Sequence, residues 1–276
     1  MGAIFSVEEF STFDGPGIRM TVFMKGCPLR CMWCHNPEGQ SFHSQYVRSQ
    51  NGCLHCGACL AAGGGILTAD SISVCPQNLI RLCGTEISPE AMIQEIEGKL
   101  WMLNASGGGV TFSGGEPLAQ PDFLMSCLDM LEGKTHRAIQ TSGFASKEIF
   151  AEALKRCEYV LYDLKLMDSE LHKKYTGVDN RCILENYRTL ATSGKPFITR
   201  IPLIPCVNDT LDNITQTAQF MSQLGVTKVE LLPYNKAAGA KYKMLGREYI
   251  TDFDPSVPPQ SHTEVFEHYG IGVKIL

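Results

Sequence analysis

The sequence predicts an α/β fold, a partial (β/α)6 TIM-like barrel interrupted near its front by a small cysteine-rich insert. Three observations carry this reading. Short β-rich apolar runs alternate with helical stretches along most of the 276 residues, the strand C-terminal ends collect glycine and polar residues, and the cysteines are crowded forward. Of twelve cysteines, eight (Cys27, Cys31, Cys34, Cys53, Cys56, Cys59, Cys75 and Cys83) fall in the first 83 residues.

Taken in order, strands are expected at Ile18 to Met24, Val110 to Ser113, Ala138 to Thr141, Tyr159 to Lys165, Phe197 to Ile204 and Lys228 to Leu232, with a short seventh run from Ile271 to Leu276. Helices fall between them. Ser88-Pro89-Glu90 supplies a capping serine and a first-turn proline, and Pro121-Asp122 opens another helix. Ser146 to Cys157, Arg181 to Ser193 with Gly194 behind it, and Leu211 to Leu224 closed by Gly225 complete the set. Strands joined through helices of this length pair in parallel by right-handed crossovers. Six such units are too few for a closed eight-unit barrel, so one side is expected open, with active residues at the strand C-terminal ends. Residues 47–84 break the alternation, rich in Cys and Gly without sustained period, and read as a small module held by a ligand instead of a core, leaving 1–46 and 85–276 to the barrel.

Composition excludes several classes. With 44% apolar and 19% charged residues the chain is an ordinary globular one, and a net charge of -5 offers no basic footprint for nucleic acid. No run approaches the roughly 18 apolar residues of a membrane span, and Glu8 and Glu9 stand where a leader would be basic and then apolar. A cytoplasmic chain, monomeric and free of membranes, is expected. In a reducing cytosol, clustered cysteines hold metal more readily than they form disulfides.

Cys27-Pro-Leu-Arg-Cys31-Met-Trp-Cys34 is a C-x3-C-x2-C group after the first expected strand. Three thiolates so spaced can hold three irons of a [4Fe–4S] cube and leave the fourth open, whereas a zinc knuckle would need a further ligand such as His35 or His43. Three soft ligands grouped in one run favour iron–sulfur. Cys53-x2-Cys56-x2-Cys59 has the start of a bacterial ferredoxin signature, but Gly63 stands where the local fourth cysteine belongs, and Cys75-Pro76 is the one remote Cys-Pro. These four cysteines are expected to fill one auxiliary [4Fe–4S] cluster, with Cys83 as the alternative ligand or a spare buried thiol. Cys127, Cys157, Cys182 and Cys206 read as core residues.

Phe13-Asp14-Gly15-Pro16-Gly17-Ile18-Arg19, leading into Gly26-Cys27 and on through Trp33-Cys34-His35-Asn36-Pro37-Glu38, resembles the opening of the radical S-adenosylmethionine (SAM) activating enzymes for glycyl radical enzymes. Ser113-Gly114-Gly115-Glu116-Pro117, Gln140-Thr141-Ser142-Gly143, Tyr162-Asp163-Leu164-Lys165, Arg200-Ile201-Pro202 and Leu231-Leu232-Pro233-Tyr234 extend the likeness over nearly the whole chain. It implies a cluster at Cys27, Cys31 and Cys34 whose open iron chelates SAM, one-electron cleavage to methionine and a 5′-deoxyadenosyl radical, and removal of a hydrogen atom from a glycine Cα of a partner glycyl radical enzyme. It also implies residue roles. Gly114 and Gly115 let the backbone approach the methionyl group, Glu116 accepts from its ammonium and Lys165 pairs with its carboxylate. Trp33 and His35 flank the adenine, Thr141, Arg200 and Asn235 complete the SAM contacts, and Asp14 meets the incoming peptide. A monovalent cation is implied beside Asp163.

Each of these residues has a plainer reading too: a tight turn for Gly114-Gly115 or Asp14, core packing for Trp33, a solvated charge pair for Asp163 and Lys165. Two positions depart from the family's best-known member, which has an acid where Gln140 stands and a histidine where Asn235 stands. The two-cluster insert of related activating enzymes is here reduced to one cluster, for which a relay from an external flavodoxin or ferredoxin, or a structural role, is expected. Competing functions are another radical SAM enzyme that modifies a different peptide or small molecule, and a noncatalytic iron–sulfur electron carrier or zinc-binding interaction protein.

Overall fold

A computed structural model describes all 276 residues. The expected strands form one open sheet. In chain order the elements are β1 (Gly2–Ser11), β2 (Arg19–Met24), β3 (Gln45–Arg48), α1 (Ala58–Ala62), α2 (Ala69–Val74), β4 (Ile80–Cys83), β5 (Thr85–Ile87), α3 (Pro89–Glu97), α4 (Leu100–Ala105), β6 (Gly109–Gly114) and α5 (Pro121–Met130). There follow β7 (His136–Thr141), α6 (Lys147–Arg156), β8 (Tyr159–Asp163), α7 (Ser169–Thr176), α8 (Arg181–Thr192), β9 (Phe197–Leu203), α9 (Leu211–Gln223), β10 (Lys228–Pro233), α10 (Ala240–Met244), α11 (Thr263–His268) and β11 (Gly272–Ile275). The strand order is β11-β10-β9-β8-β7-β6-β2-β1-β5. From β2 to β11 every neighbour is parallel, so seven strands carry the incomplete barrel.

Two expected helices start on serines singled out in the sequence, Ser88 accepting from Ala91 N and Ser146 from Ile149 N; a third starts on Thr210, which accepts from Asn213 N, and those at Pro121 and Arg181 have no side-chain cap. Three features were not foreseen. β1 and β5 add two antiparallel strands beside β2, α7 lies between β8 and α8, and β3 pairs antiparallel with β4. β1 carries Glu8 and Glu9 and is exposed at that end, which masks its alternation. The β3–β4 pair brackets residues 49–79, and within it only the two short helices α1 and α2 form.

A core of 37 buried residues joins the helices to the outer face of the sheet, centred on residues such as Phe112, Ile139, Tyr187 and Leu231. A second, smaller core forms at the barrel mouth from Trp33, Leu166, Tyr175, Ile204, Val207, Tyr234, Ala238 and Phe253. Cys127 and Cys157 are buried as expected and Cys182 is half-buried, but Cys206 is exposed. It occupies the turn after β9 at φ 59°, where its amide donates to Asp209 Oδ1. A turn residue in that conformation points out of the core.

Arg137, on β7, is buried and fastens the base of the barrel. Its amide donates to Glu158 Oε2 at 2.7 Å and its Nη1 to Leu128 O at 2.9 Å, while its guanidinium pairs with the same carboxylate. Burial opposes ionisation of Glu158, but the Arg137 guanidinium and amide outweigh it and hold the carboxyl below its usual range. Its stabilising contribution is therefore present above the ordinary carboxylate pKa and lost as pH falls through the depressed one. Glu158→Gln is expected to cost about 1–3 kcal/mol at neutral pH, less than a fully buried pair would lose because Glu158 is partly exposed. In denaturant melts the deficit should close at acid pH, and a gap independent of pH would refute the charge-based account.

Candidate active site

The loop after β2 carries Cys27, Cys31 and Cys34, and backbone hydrogen bonds seat its start. Gly115 N donates to Met24 O at 2.8 Å, Glu116 N to Gly26 O at 2.9 Å, and Gly26 N to Ser41 O at 3.0 Å. No side chain fits between these strands. A Cβ on Gly114, at φ 110°, would lie 2.5 Å from Met24 N, and one on Gly115 would lie 2.4 Å from Gly26 O. The two glycines expected to admit a ligand thus first admit the cysteine loop.

Above this crossing lies a cavity of about 320 Å³, within the size range of small-molecule sites. Into it the structure brings Asp14, Cys27, Cys31, Trp33, Cys34, His35, Gly114, Gly115, Thr141, Asp163 and Lys165, all expected from the sequence. Three expected residues do not line it. Glu116 is buried behind the wall, its oxygens taken by Thr141 Oγ1 at 2.5 Å, Ser142 Oγ at 2.6 Å, Ser142 N at 2.9 Å and Leu118 N at 3.2 Å. It braces β6 to β7, with no acceptor left for an ammonium. Arg200 lies lower in the barrel, two residues before Pro202, which does reach the cavity. Its guanidinium pairs with Glu230 at 3.0 Å and donates to Phe13 O. Asn235 is exposed and accepts from Ala237 N at 2.9 Å, capping a short helical turn.

Sequence reasoning missed Gln40, Asn36, Ser142 and Tyr234 as cavity residues. Ser142 and Tyr234 adjoin residues already singled out. Gln40 had no local signal; it is placed from afar by Arg247, whose Nη1 donates to Gln40 Oε1 at 2.9 Å.

Electrostatically the site is a set of half-buried thiols facing one cation. Burial raises the Cys27 and Cys34 thiols and pushes Cys31 up to about 12, with Lys165 opposing the last two shifts. Lys165 lies just past β8, its Nζ 3.1 Å from Asp163 Oδ2. Burial disfavours its charge, but Asp163 and the neighbouring thiols outweigh it, so the ammonium persists with its pKa raised. Burial, then Lys241, lowers His35, which stays neutral near pH 7. Beneath, Asp14 is held by Thr21 Oγ1, which donates to its Oδ2 at 2.8 Å, and by Thr111 Oγ1, which donates to its carbonyl at 2.7 Å. Arg19 anchors the same loop from inside the barrel, donating to Thr111 Oγ1, Pro16 O and Val110 O. A second cavity of about 210 Å³ opens below Asp14, between Phe13, Gly15, Arg200 and Glu230.

The donor set fits a multi-iron cluster. Cys27, Cys31 and Cys34 line one cavity from a single loop, and in a cubane each thiolate binds its own iron. In the insert, Cys53, Cys56, Cys59 and Cys75 surround one small cavity together with Arg48, and Cys83 lies apart, buried beside Glu38 and Lys241.

The architecture is that of radical SAM proteins. The chain superposes along its entire length on 73% of a radical SAM methyltransferase from Sphaerobacter thermophilus, with a TM-score of 0.55 at 15% identity, a likeness of fold alone. Residues 13–183 match the family model described as a 4Fe-4S single cluster domain. At the level of sequence, the isethionate sulfite-lyase activating enzyme of Nitratidesulfovibrio vulgaris is 37% identical, over 90% of this chain and 88% of that protein. The choline trimethylamine-lyase activating enzyme of Oleidesulfovibrio alaskensis is 34% identical over 92% and 90%, and the trans-4-hydroxy-L-proline dehydratase activating enzyme of Clostridioides difficile 36% over 89% and 88%. The chain belongs to the family of glycyl radical enzyme activating enzymes. Its activity is that of a radical SAM activase, reductive cleavage of SAM by a [4Fe–4S] cluster and hydrogen-atom abstraction from a partner's glycine. No helix is long and apolar enough to cross a membrane.

Gly115→Ala tests the seating of the cysteine loop. The added methyl group meets backbone on two sides, Gly26 O at 2.4 Å and Gly39 O at 2.7 Å. The variant is expected to fold yet retain less iron at the first site, as counted after anaerobic reconstitution; wild-type iron content would refute this role.

Proposed function

We propose that Cys27, Cys31 and Cys34 hold the SAM-binding cluster and that the cavity above them receives SAM, with Lys165 taking its carboxylate and the Trp33–His35 segment its adenine. The observation that supports this most directly is the convergence of three half-buried thiols and a lysine, its side chain 9% exposed and paired with Asp163, on one cavity wall. A buried ammonium with a raised pKa is charged at any physiological pH and matches a carboxylate. Asp163 orients that lysine, and because the same carboxylate is already engaged by Nζ at 3.1 Å, we assign it to Lys165 in preference to a monovalent cation. Asp14, fixed between the two cavities, faces the glycine-bearing segment of the partner. Trp33 serves in both of its readings, since it lines the cavity and also packs in the small core with Tyr175 and Tyr234.

Residues 47–84 form, in this reading, an auxiliary module in which Cys53, Cys56, Cys59 and Cys75 fill a second [4Fe–4S] cluster. Arg48 supports it: its Nε is buried without a partner and its Nη1 lies 3.4 Å from Cys59 Sγ, a guanidinium awaiting an anion. A site with four thiolates has no open iron, so it relays electrons from a flavodoxin or ferredoxin and binds neither SAM nor substrate. The chain works as a cytoplasmic monomer on a glycyl radical enzyme, and its relatives serve several such partners at 34–37% identity.

Reconstituted protein, SAM and a reductant, mixed anaerobically with candidate glycyl radical enzymes, should yield a glycyl radical signal by electron paramagnetic resonance. SAM cleavage without that signal for any partner would favour a different peptide or small molecule. Lys165→Met is expected to weaken SAM binding about 30-fold, roughly 2 kcal/mol, in equilibrium titrations of the oxidised protein, and unchanged affinity would dismiss the carboxylate contact. Replacing Cys53 and Cys56 together should slow SAM cleavage with flavodoxin as donor, while equal rates would leave the module a structural role.

A further inference from the structure

Arg48 is the one side chain of fixed charge at the wall of the cavity between the four cysteines of the insert. It ends β3, whose pairing with β4 sets Arg48 opposite Ile80, and its side chain lines the cavity. Its Nη1 is 3.4 Å from Cys59 Sγ, its Nε is buried with no acceptor, and it takes part in none of the chain's salt bridges. An unpaired guanidinium in such a place is costly unless an anion shares it. The first site is arranged differently, because Lys165 there is already matched by Asp163.

We infer that Arg48 tunes the auxiliary cluster, its unmatched guanidinium against Cys59 stabilising the reduced form and raising the reduction potential of that cluster alone. A [4Fe–4S] cube held by these four thiolates would be an anion and would gain one further negative charge with each electron from a low-potential donor, no bond or proton being exchanged. A fixed cation at hydrogen-bonding range therefore favours the reduced state over the oxidised one, and net charge and hydrogen bonds to sulfur are the terms that set such potentials. Arg48 also offers its N–H groups to sulfur from a strand instead of a loop, so the contact is preorganised. The consequence is that the electron from the donor is held at the module's edge more firmly than four cysteines alone would hold it. This inference rests on the reading of the insert as a cluster site.

The test uses the full chain in a Cys31→Ala background, which removes the SAM cluster and leaves the auxiliary signal by itself. Iron and sulfide are counted first: about four of each per chain are expected, and their absence with Arg48 intact would defeat the cluster reading, not the tuning. Potentiometric titration with dithionite and mediators, read by electron paramagnetic resonance, then compares Arg48→Met and Arg48→Lys with the parent. Arg48→Met should shift the one-electron reduction equilibrium about tenfold toward the oxidised form, a fall of ~59 mV, and Arg48→Lys should shift it less. Coincident titrations for parent and Arg48→Met, both with full iron, would overturn the proposal. Should Arg48→Met lose iron, Arg48→Gln keeps an N–H donor without the charge and carries the comparison. Loss of iron from all three variants would assign Arg48 to the module's fold and likewise overturn the tuning role.

Discussion

The mouth of the barrel depends on a contact that involves no side chains. Where β2 and β6 end, the backbone of Gly114 and Gly115 lies against Met24 and Gly26, and the hydrogen bonds from Gly115 N and Glu116 N bind the start of the cysteine loop to the sheet. A methyl group would part them. The three thiols start from this crossing, and beside it Lys25 donates to Glu38 O while Gln120 donates to Lys25 O. Glu116 secures the other side of the same junction by drawing Thr141 and Ser142 toward β6.

Charge is organised in layers along the barrel interior. At the mouth, Lys165 and Asp163 cancel beside the thiols; lower down, Arg200 meets Asp14 and Glu230; near the base, Arg19 is spread over backbone carbonyls and Thr111. Each buried cation has its hydrogen-bond acceptors, as a low-dielectric interior requires. Arg48 departs from this rule, and it does so beside four thiols.

Much of this was legible in the sequence because it is carried by local patterns. The alternation of apolar runs and capped helices located all seven parallel strands to within a few residues, and cysteine spacing separated a three-thiol loop from a four-thiol module. What stayed hidden depends on distant partners. Glu116 adjoins the glycines and reads as a ligand group, yet hydroxyls 25 and 26 residues away consume its oxygens. Arg200 belongs to a strand whose register, not its composition, assigns it to the lower cavity, and Gln40 acquires its orientation from Arg247 across 207 residues. Cys206 reads as apolar filling because a single residue's positive φ leaves no trace in periodicity. β1 was obscured by two glutamates that sit where the strand has already left the core.

The antiparallel pair of β3 and β4 places Arg48 and Ile80 side by side, although 31 residues separate them in the chain. The segment between β3 and β4 therefore starts and ends at one strand pair, and the closure entropy of what hangs from it changes slowly with length. Segments of quite different size, with more cysteines or none, could be grafted there without shifting the three-thiol loop. For a family that must serve many partners from one chemical core, such a strand pair allows the accessory to diversify while the radical-generating machinery is kept intact.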